Sequence, residues 1–146
     1  MDIANPSTGS GLPSQITDAL KHAAQQAAEH AYAPYSKFRV GAALLLADGK
    51  IITGCNVENG SFGLTICAER SAVVRAVSEL GPKIRIKAVA VANLNGAASP
   101  PCGACRQVLS EFVAADALVL FPGIAGWESV PFREIFPFSF ELTRGD

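Results

Sequence analysis

Four residues set the chemistry open to this chain. Cys67 stands two residues before Glu69, and a C-x-x-C pair, Cys102 and Cys105, follows further on. A C-x-x-C alone fits a redox dithiol, a zinc ligand pair or chance. A redox pair usually opens a helix straight after an early strand. Here a third cysteine precedes a glutamate at another predicted helix start, and that combination points to a metal. Three protein ligands suit a catalytic zinc, because structural zinc sites are usually closed by four. Cys55 is the one spare thiol; it lies mid-strand in Ile52-Thr53-Gly54-Cys55-Asn56 and reads as an inert strand cysteine. His22 and His30 fall on a distant predicted helix and read as solvated residues.

Zinc lowers the pKa of a water in its open position and so yields hydroxide near neutral pH. Three thiolates oppose this, since they bring the site to net −1 before hydroxide forms. Positive compensation is required. Cys67 and Cys102 both sit where helices are predicted to begin, and helix N-termini favour thiolates. Arg70 and Arg106 directly follow the two motifs and are candidates to hydrogen-bond ligand sulfurs. Beside such a water, Glu69 is placed to carry protons, a role worth roughly 10²–10⁴ in rate.

The elements that must position these groups follow from periodicity and turn residues. Ser14 is a candidate cap for a helix to about Ala31, with Ile16, Leu20, Ala23, Ala24 and Ala27 at helical spacing. Phe38–Leu46 and Ile51–Val57 read as strands joined at Asp48-Gly49, a hairpin signal. A polar loop, Glu58–Gly63, precedes a helix over Cys67–Leu80 that Gly81-Pro82 stops. Ile84–Ala92 is apolar almost throughout, as a strand covered on both faces would be. A loop to Pro101, a helix from Gly103 to about Val113 and a short strand over Ala117–Phe121 follow. Phe132–Phe136 reads as a helical turn in an otherwise irregular remainder. The sum is an α/β fold with helices on both faces of one mixed sheet.

The bulk properties fit this picture. The chain of 146 residues suits one domain, here residues 14–146, behind a Ser-, Gly- and Pro-rich tail over 1–13. A net charge of −1 argues against a dedicated nucleic-acid binder, which needs a basic excess. No apolar run reaches the length of a membrane span, and no secretory leader pattern opens the chain. Four cysteines are too few for a disulfide scaffold. The expected location is cytoplasmic, with reduced thiols.

Four collinear segments carry a resemblance: Tyr32–Ala43, Thr53–Asn59, Cys67-Ala68-Glu69-Arg70 and Pro101–Leu109. Together they resemble the cytidine deaminases of the short, homotetrameric type, over about residues 16–121. The resemblance implies a three-layer α/β/α fold on a mixed, roughly five-stranded sheet. It implies one Zn²⁺ per chain on Cys67, Cys102 and Cys105, with Glu69 catalytic. The reaction implied is hydrolysis of cytidine and 2′-deoxycytidine to uridine and 2′-deoxyuridine, with release of ammonia. By position, Asn56 and Glu58 match residues that hold the ribose hydroxyl, and alternation would put both on one strand face. Phe38 matches an aromatic near the pyrimidine, and Ala68 and Phe62 also fall among the implied substrate contacts. Phe62 replaces a tyrosine common in relatives. Phe140, with Phe138 two residues before it, matches a phenylalanine that reaches a neighbour's base pocket. Active sites shared within a homotetramer are therefore expected.

Three other readings compete. Deamination of another base or analogue, such as guanine or blasticidin, gives the Asn56/Glu58 pair no sugar to hold. A polynucleotide editor would want a basic, aromatic-lined channel. A non-catalytic zinc module would need a fourth ligand and leave Glu69 idle.

Overall fold

The computed structural model describes residues 11–145. The first ten residues of the expected tail lie outside them. Helix α1 spans Ser14–Ala28, and the strands β1, Val40–Leu46, and β2, Ile51–Cys55, form the expected hairpin. Gly49 takes φ 89°, and Lys50 N–H donates to Asp48 Oδ1 at 3.0 Å, so the Asp-Gly turn is built as its residues require. Helix α2, Ala68–Leu80, strand β3, Ile86–Asn93, and helix α3, Gly103–Ser110, follow. Strand β4, Val113–Gly123, strand β5, Gly126–Pro131, and the short helix α4, Phe132–Ile135, complete the order. The sheet is mixed, with strand order β2-β1-β3-β4-β5 and a single parallel pair, β3 with β4.

Period-2 alternation builds two cores from the same strands. Ala42, Leu44 and Leu46 of β1 with Val89 and Val91 of β3 face α2 and α3. Ala43 and Leu45 with Ala88, Ala90 and Ala92 face α1. The strands are therefore apolar on both faces, and the α/β/α layering follows.

Topology decides where the site can be. β1 runs antiparallel to both β2 and β3, so β2 and β3 run the same way on either side of it. α2 leaves the end of β2 and α3 leaves the end of β3. Both helix N-termini therefore lie at one edge of the sheet, the edge where open α/β sheets bind ligands.

Four expectations need correction. Ser14 is the first helical residue rather than the cap: Pro13 stands at the N-cap, and its carbonyl accepts from Ile16 and Thr17 N–H. α3 ends at Ser110, and the chain turns straight into β4, which is longer than the Ala117–Phe121 core of it that is apolar. The irregular remainder contains β5, an exposed edge strand. Pro122 and Pro131 and an Ile124-Ala125 turn hide that hairpin from pattern reading. Lys21 Nζ lies 5.2 Å from the Trp127 ring centroid and ties this edge to α1. Lastly, β1 and β2 are shorter at the cleft end than expected, stopping short of Phe38 and of Val57.

Two glycines set the helix-to-sheet spacing. A Cβ on Gly41 would lie 2.0 Å from Ala24 carbonyl oxygen and 2.4 Å from Ala28 nitrogen, both backbone of α1. A Cβ on Gly54 would lie 2.4 Å from Ala72 nitrogen in α2. Neither helix has side-chain slack to yield. Gly41→Ala is expected to destabilise the fold by roughly 1–3 kcal/mol or more, as overpacked cores do. The check is a lowered urea midpoint at unchanged slope; an unshifted midpoint would show that α1 moves away freely.

Candidate metal centre and active site

Cys67 is the N-cap residue of α2 and Cys102 that of α3. Cys105 lies in the first turn of α3 and is fully buried. The three sulfurs lie within 4.8 Å of one another, and Cys67 Sγ is 3.8 Å from Cys102 Sγ. Sulfurs bound at about 2.3 Å to one tetrahedral zinc stand about 3.8 Å apart, so the donor set fits the ion. Among the described residues no fourth His, Cys, Asp or Glu joins the group. A position is left for water or substrate, as in catalytic rather than structural sites.

The thiols already share charge unevenly. Cys67 is held down to about 5, chiefly by a hydrogen bond from Cys105, with Arg70 adding to the effect against burial. The Cys105 thiol is pushed up, first by that same pairing with Cys67, then by burial and the Glu69 charge. One cationic neighbour is present: Arg70 Nη2 donates to Cys67 Sγ at 3.4 Å. That contact raises the Arg70 pKa further. Arg106, the other candidate for a sulfur partner, is turned elsewhere. Its Nε donates to Pro101 carbonyl at 2.8 Å and its Nη1 to Ile135 carbonyl at 2.6 Å, tying the metal loop to α4.

Glu69, in the first turn of α2, is 4% exposed. Burial is the main cause that raises its pKa; the helix start and Arg70 pull the other way without cancelling it. Its carboxyl borders a cleft of about 290 Å³ together with Cys67, Ala68, Cys102, Phe38, Asn56 and Glu58. Five of the expected site residues, Phe38, Asn56, Glu58, Ala68 and Glu69, thus share one cavity with Cys67 and Cys102.

Asn56 and Glu58 reach this cleft by a different route from the one expected. β2 ends at Cys55, so they do not share a strand face. Val57 instead makes single bridges to Tyr32 and Ile66, which keep the chain extended. Asn56 is buried; its Oδ1 accepts from Val40 N–H at 2.9 Å and its Nδ2 donates to Phe38 carbonyl at 2.8 Å. Glu58 Oε1 accepts from the N–H groups of Tyr35 and Ser36 at 3.0 and 3.1 Å. The Ser36 hydroxyl first, then those backbone bonds, hold its carboxyl below the usual range. Sequence reasoning did not single out Ser36, Thr65, Ser99 and Pro100, which also line the cleft. The loop to Pro101 holds Ser99 and Pro100, and Ser36 falls within the Tyr32–Ala43 segment, but neither pattern marked them as cleft residues.

Three aromatic candidates lie apart. Phe62 is 79% exposed, packs edge-on to Tyr35, and borders a neighbouring depression that also includes Glu58. Phe138 and Phe140 are both exposed, and neither lines the cleft of its own chain.

Comparison with known proteins agrees with this geometry. Residues 14–121 match the family described as the cytidine and deoxycytidylate deaminase zinc-binding region, and the chain belongs to that family. It is 47% identical over 116 residues to cytidine deaminase of Halalkalibacterium halodurans, covering 79% of this chain and 86% of the relative. To cytidine deaminase of Mycobacterium tuberculosis it is 48% identical over 111 residues, covering 76% and 82%. The crystal structure of cytidine deaminase from Mycobacterium tuberculosis superposes with a TM-score of 0.76 at 41% identity, covering 86% of this chain and 98% of that one.

Removing the Arg70 charge isolates its role. Arg70→Ala is expected to weaken zinc binding about 10–100-fold, the usual range for a group that bonds to a ligand. Competition against a chromophoric chelator measures it. Zinc must also displace the proton held on Cys105, so affinity is expected to rise with pH. An affinity flat in pH would contradict the raised thiol.

Proposed function

We propose that this protein catalyses the hydrolytic, zinc-dependent deamination of cytidine and 2′-deoxycytidine to uridine and 2′-deoxyuridine. One observation carries the reading: a three-thiol cluster fit for zinc and a buried carboxyl share one cleft with Asn56 and Glu58. Family membership supports it.

Zinc, when bound by Cys67, Cys102 and Cys105, supplies Lewis acidity that lowers the pKa of water. Glu69 accepts a proton from the attacking water as its oxygen bonds to C4 of the pyrimidine. The carboxyl then delivers that proton to ring N3. The second proton leaves the new C4 hydroxyl and passes through Glu69 to the exocyclic amine; the C4 carbonyl forms as the C4–N bond breaks, and ammonia leaves. Burial suits Glu69 to both directions of transfer, because a carboxyl with a raised pKa holds its proton less reluctantly near neutral pH. Phe38 packs the base, the Ala68 backbone lies against it, and Glu58 Oε2 with the Asn56 amide receives the ribose hydroxyl. Phe62 borders the substrate side of the loop.

We place the reaction in the cytoplasm and in a homotetramer whose neighbours complete each other's sites. What supports the assembly is apolar surface around the cleft: Tyr35, Phe62, Leu64 and Ile66 are exposed, as are Phe138 and Phe140. Phe140 is the residue assigned to a neighbour's pocket. No helix among the described residues is long and apolar enough to cross a membrane.

Ammonia release with cytidine, deoxycytidine, cytosine, adenosine and guanine side by side tests the substrate class. Turnover of the two cytidine nucleosides alone is expected, and none from either would overturn the reading. Glu69→Gln is expected to retain one zinc per chain and lose roughly 10²–10⁴ or more in kcat. Light scattering is expected to give four times the chain mass, with Phe140→Ala raising KM while the mass holds; a monomeric, fully active protein would remove the shared-site model.

A further inference from the structure

Two segments lining the cleft are held by two asparagines that touch none of the reacting groups. Asn93 is the last residue of β3, and its amide is fully used. Its Oδ1 accepts from the N–H groups of Asn95 at 2.9 Å and Ala97 at 3.2 Å. Its Nδ2 donates to Ala97 carbonyl and to Ser99 Oγ, both at 2.8 Å. Ser99 and Pro100 line the cleft, and the chain then runs directly to Cys102.

Asn95 reaches the segment around Phe38, which lines the same cleft. Its Oδ1 accepts from Arg39 N–H at 3.1 Å, and its Nδ2 donates to Lys37 carbonyl at 3.1 Å. These two bonds bracket Phe38, whose own N–H donates to Ser36 Oγ at 3.0 Å. Lys37 sits at φ 60°, a costly region for lysine, and within the turn its N–H donates to Ala33 carbonyl at 3.0 Å. Neighbouring bonds must impose that φ.

We propose that Asn95 and Asn93 are positioning residues for the reaction. Asn95 fixes the aromatic wall at Phe38, Asn93 fixes the Ser99 loop that lines the same cleft, and the Asn95 N–H to Asn93 Oδ1 bond sets one against the other. The proposal rests on the nucleoside-deaminase reading of the cleft. An ordinary pair of loop-stabilising asparagines would lower the melting temperature on removal and leave substrate binding alone.

The test uses zinc-loaded protein with cytidine, and amide exchange as a readout independent of turnover. Asn95→Ala is expected to raise KM about tenfold with kcat within about threefold, the pattern of lost ground-state positioning. Zinc content stays at one per chain, and exchange at the Arg39 amide quickens. Asn95→Asp, which keeps the acceptor for Arg39 but not the donor to Lys37, falls between. Adding Lys37→Gly to Asn95→Ala recovers part of the KM, since glycine adopts the positive φ unaided. A wild-type KM in Asn95→Ala, or no recovery in the double variant, overturns the proposal. Should Asn95→Ala not fold, Asn95→Asp with Lys37→Gly decides by the same comparison. An inactive wild-type protein would instead remove the functional reading, while quickened Arg39 exchange would still report whether Asn95 holds the turn.

Discussion

Three sulfurs within 4.8 Å of one another impose an electrostatic condition that the rest of the structure meets. Left alone they cannot all ionise: Cys67 sheds its proton easily, while Cys105 keeps one. A divalent cation changes that balance, but the protein must first hold together three sulfurs of which Cys105 is fully and Cys67 partly buried. It does so with two helix N-termini and one guanidinium. Cys67 and Cys102 occupy N-cap positions, where unpaired backbone N–H groups and the helix dipoles face them. Such convergence is available only because β2 and β3 point the same way around an antiparallel β1.

The sheet transmits that condition inward. α2 can bring Cys67 and Glu69 to the cleft only if it lies close on β2, and Gly54 permits the approach to Ala72. On the opposite face, Gly41 and the run Ala88, Ala90, Ala92 let α1 settle equally close. Large side chains in those places would not simply fill space. They would lift a helix, and on the α2 side a lifted helix carries Cys67 and Glu69 with it. Core composition and site geometry are therefore one constraint rather than two.

The three-cysteine cluster was legible because spacing marks it: Cys67 before Glu69, then Cys102 and Cys105, each motif at a helix start. The Asp48-Gly49 hairpin and the Gly81 stop were legible for the same local reason. What escaped reading depends on partners distant in sequence. β5 carries exposed residues, and Pro131 ends it, so only pairing with β4 identifies it. Arg106 follows its motif much as Arg70 does, yet Ile135 carbonyl, remote in the chain, draws it away from the sulfurs. Asn56 and Glu58 were found, but the strand meant to align them ends at Cys55. Side-chain bonds to the Tyr35–Val40 segment do that work, and no periodicity encodes them.

Arg70 shows how the site overrides a local rule. A cation in the first turn of a helix opposes the macrodipole, so sequence preference argues against it there. Its Nε is also buried without a hydrogen-bond partner, which adds a desolvation cost. The compensation is a charge-assisted hydrogen bond: Nη2 donates to Cys67 Sγ at 3.4 Å, and the guanidinium charge offsets part of the thiolate charge that the helix starts alone do not cancel. Glu69, the residue before it, shows the converse: a carboxyl in a favourable place on the helix dipole whose pKa burial nevertheless raises. Arg70 thus departs from its helix's preference beside the Cys67 sulfur, while Glu69 keeps to that preference and is set apart by burial. That pairing ties the first turn of α2 to the chemistry more firmly than to the fold.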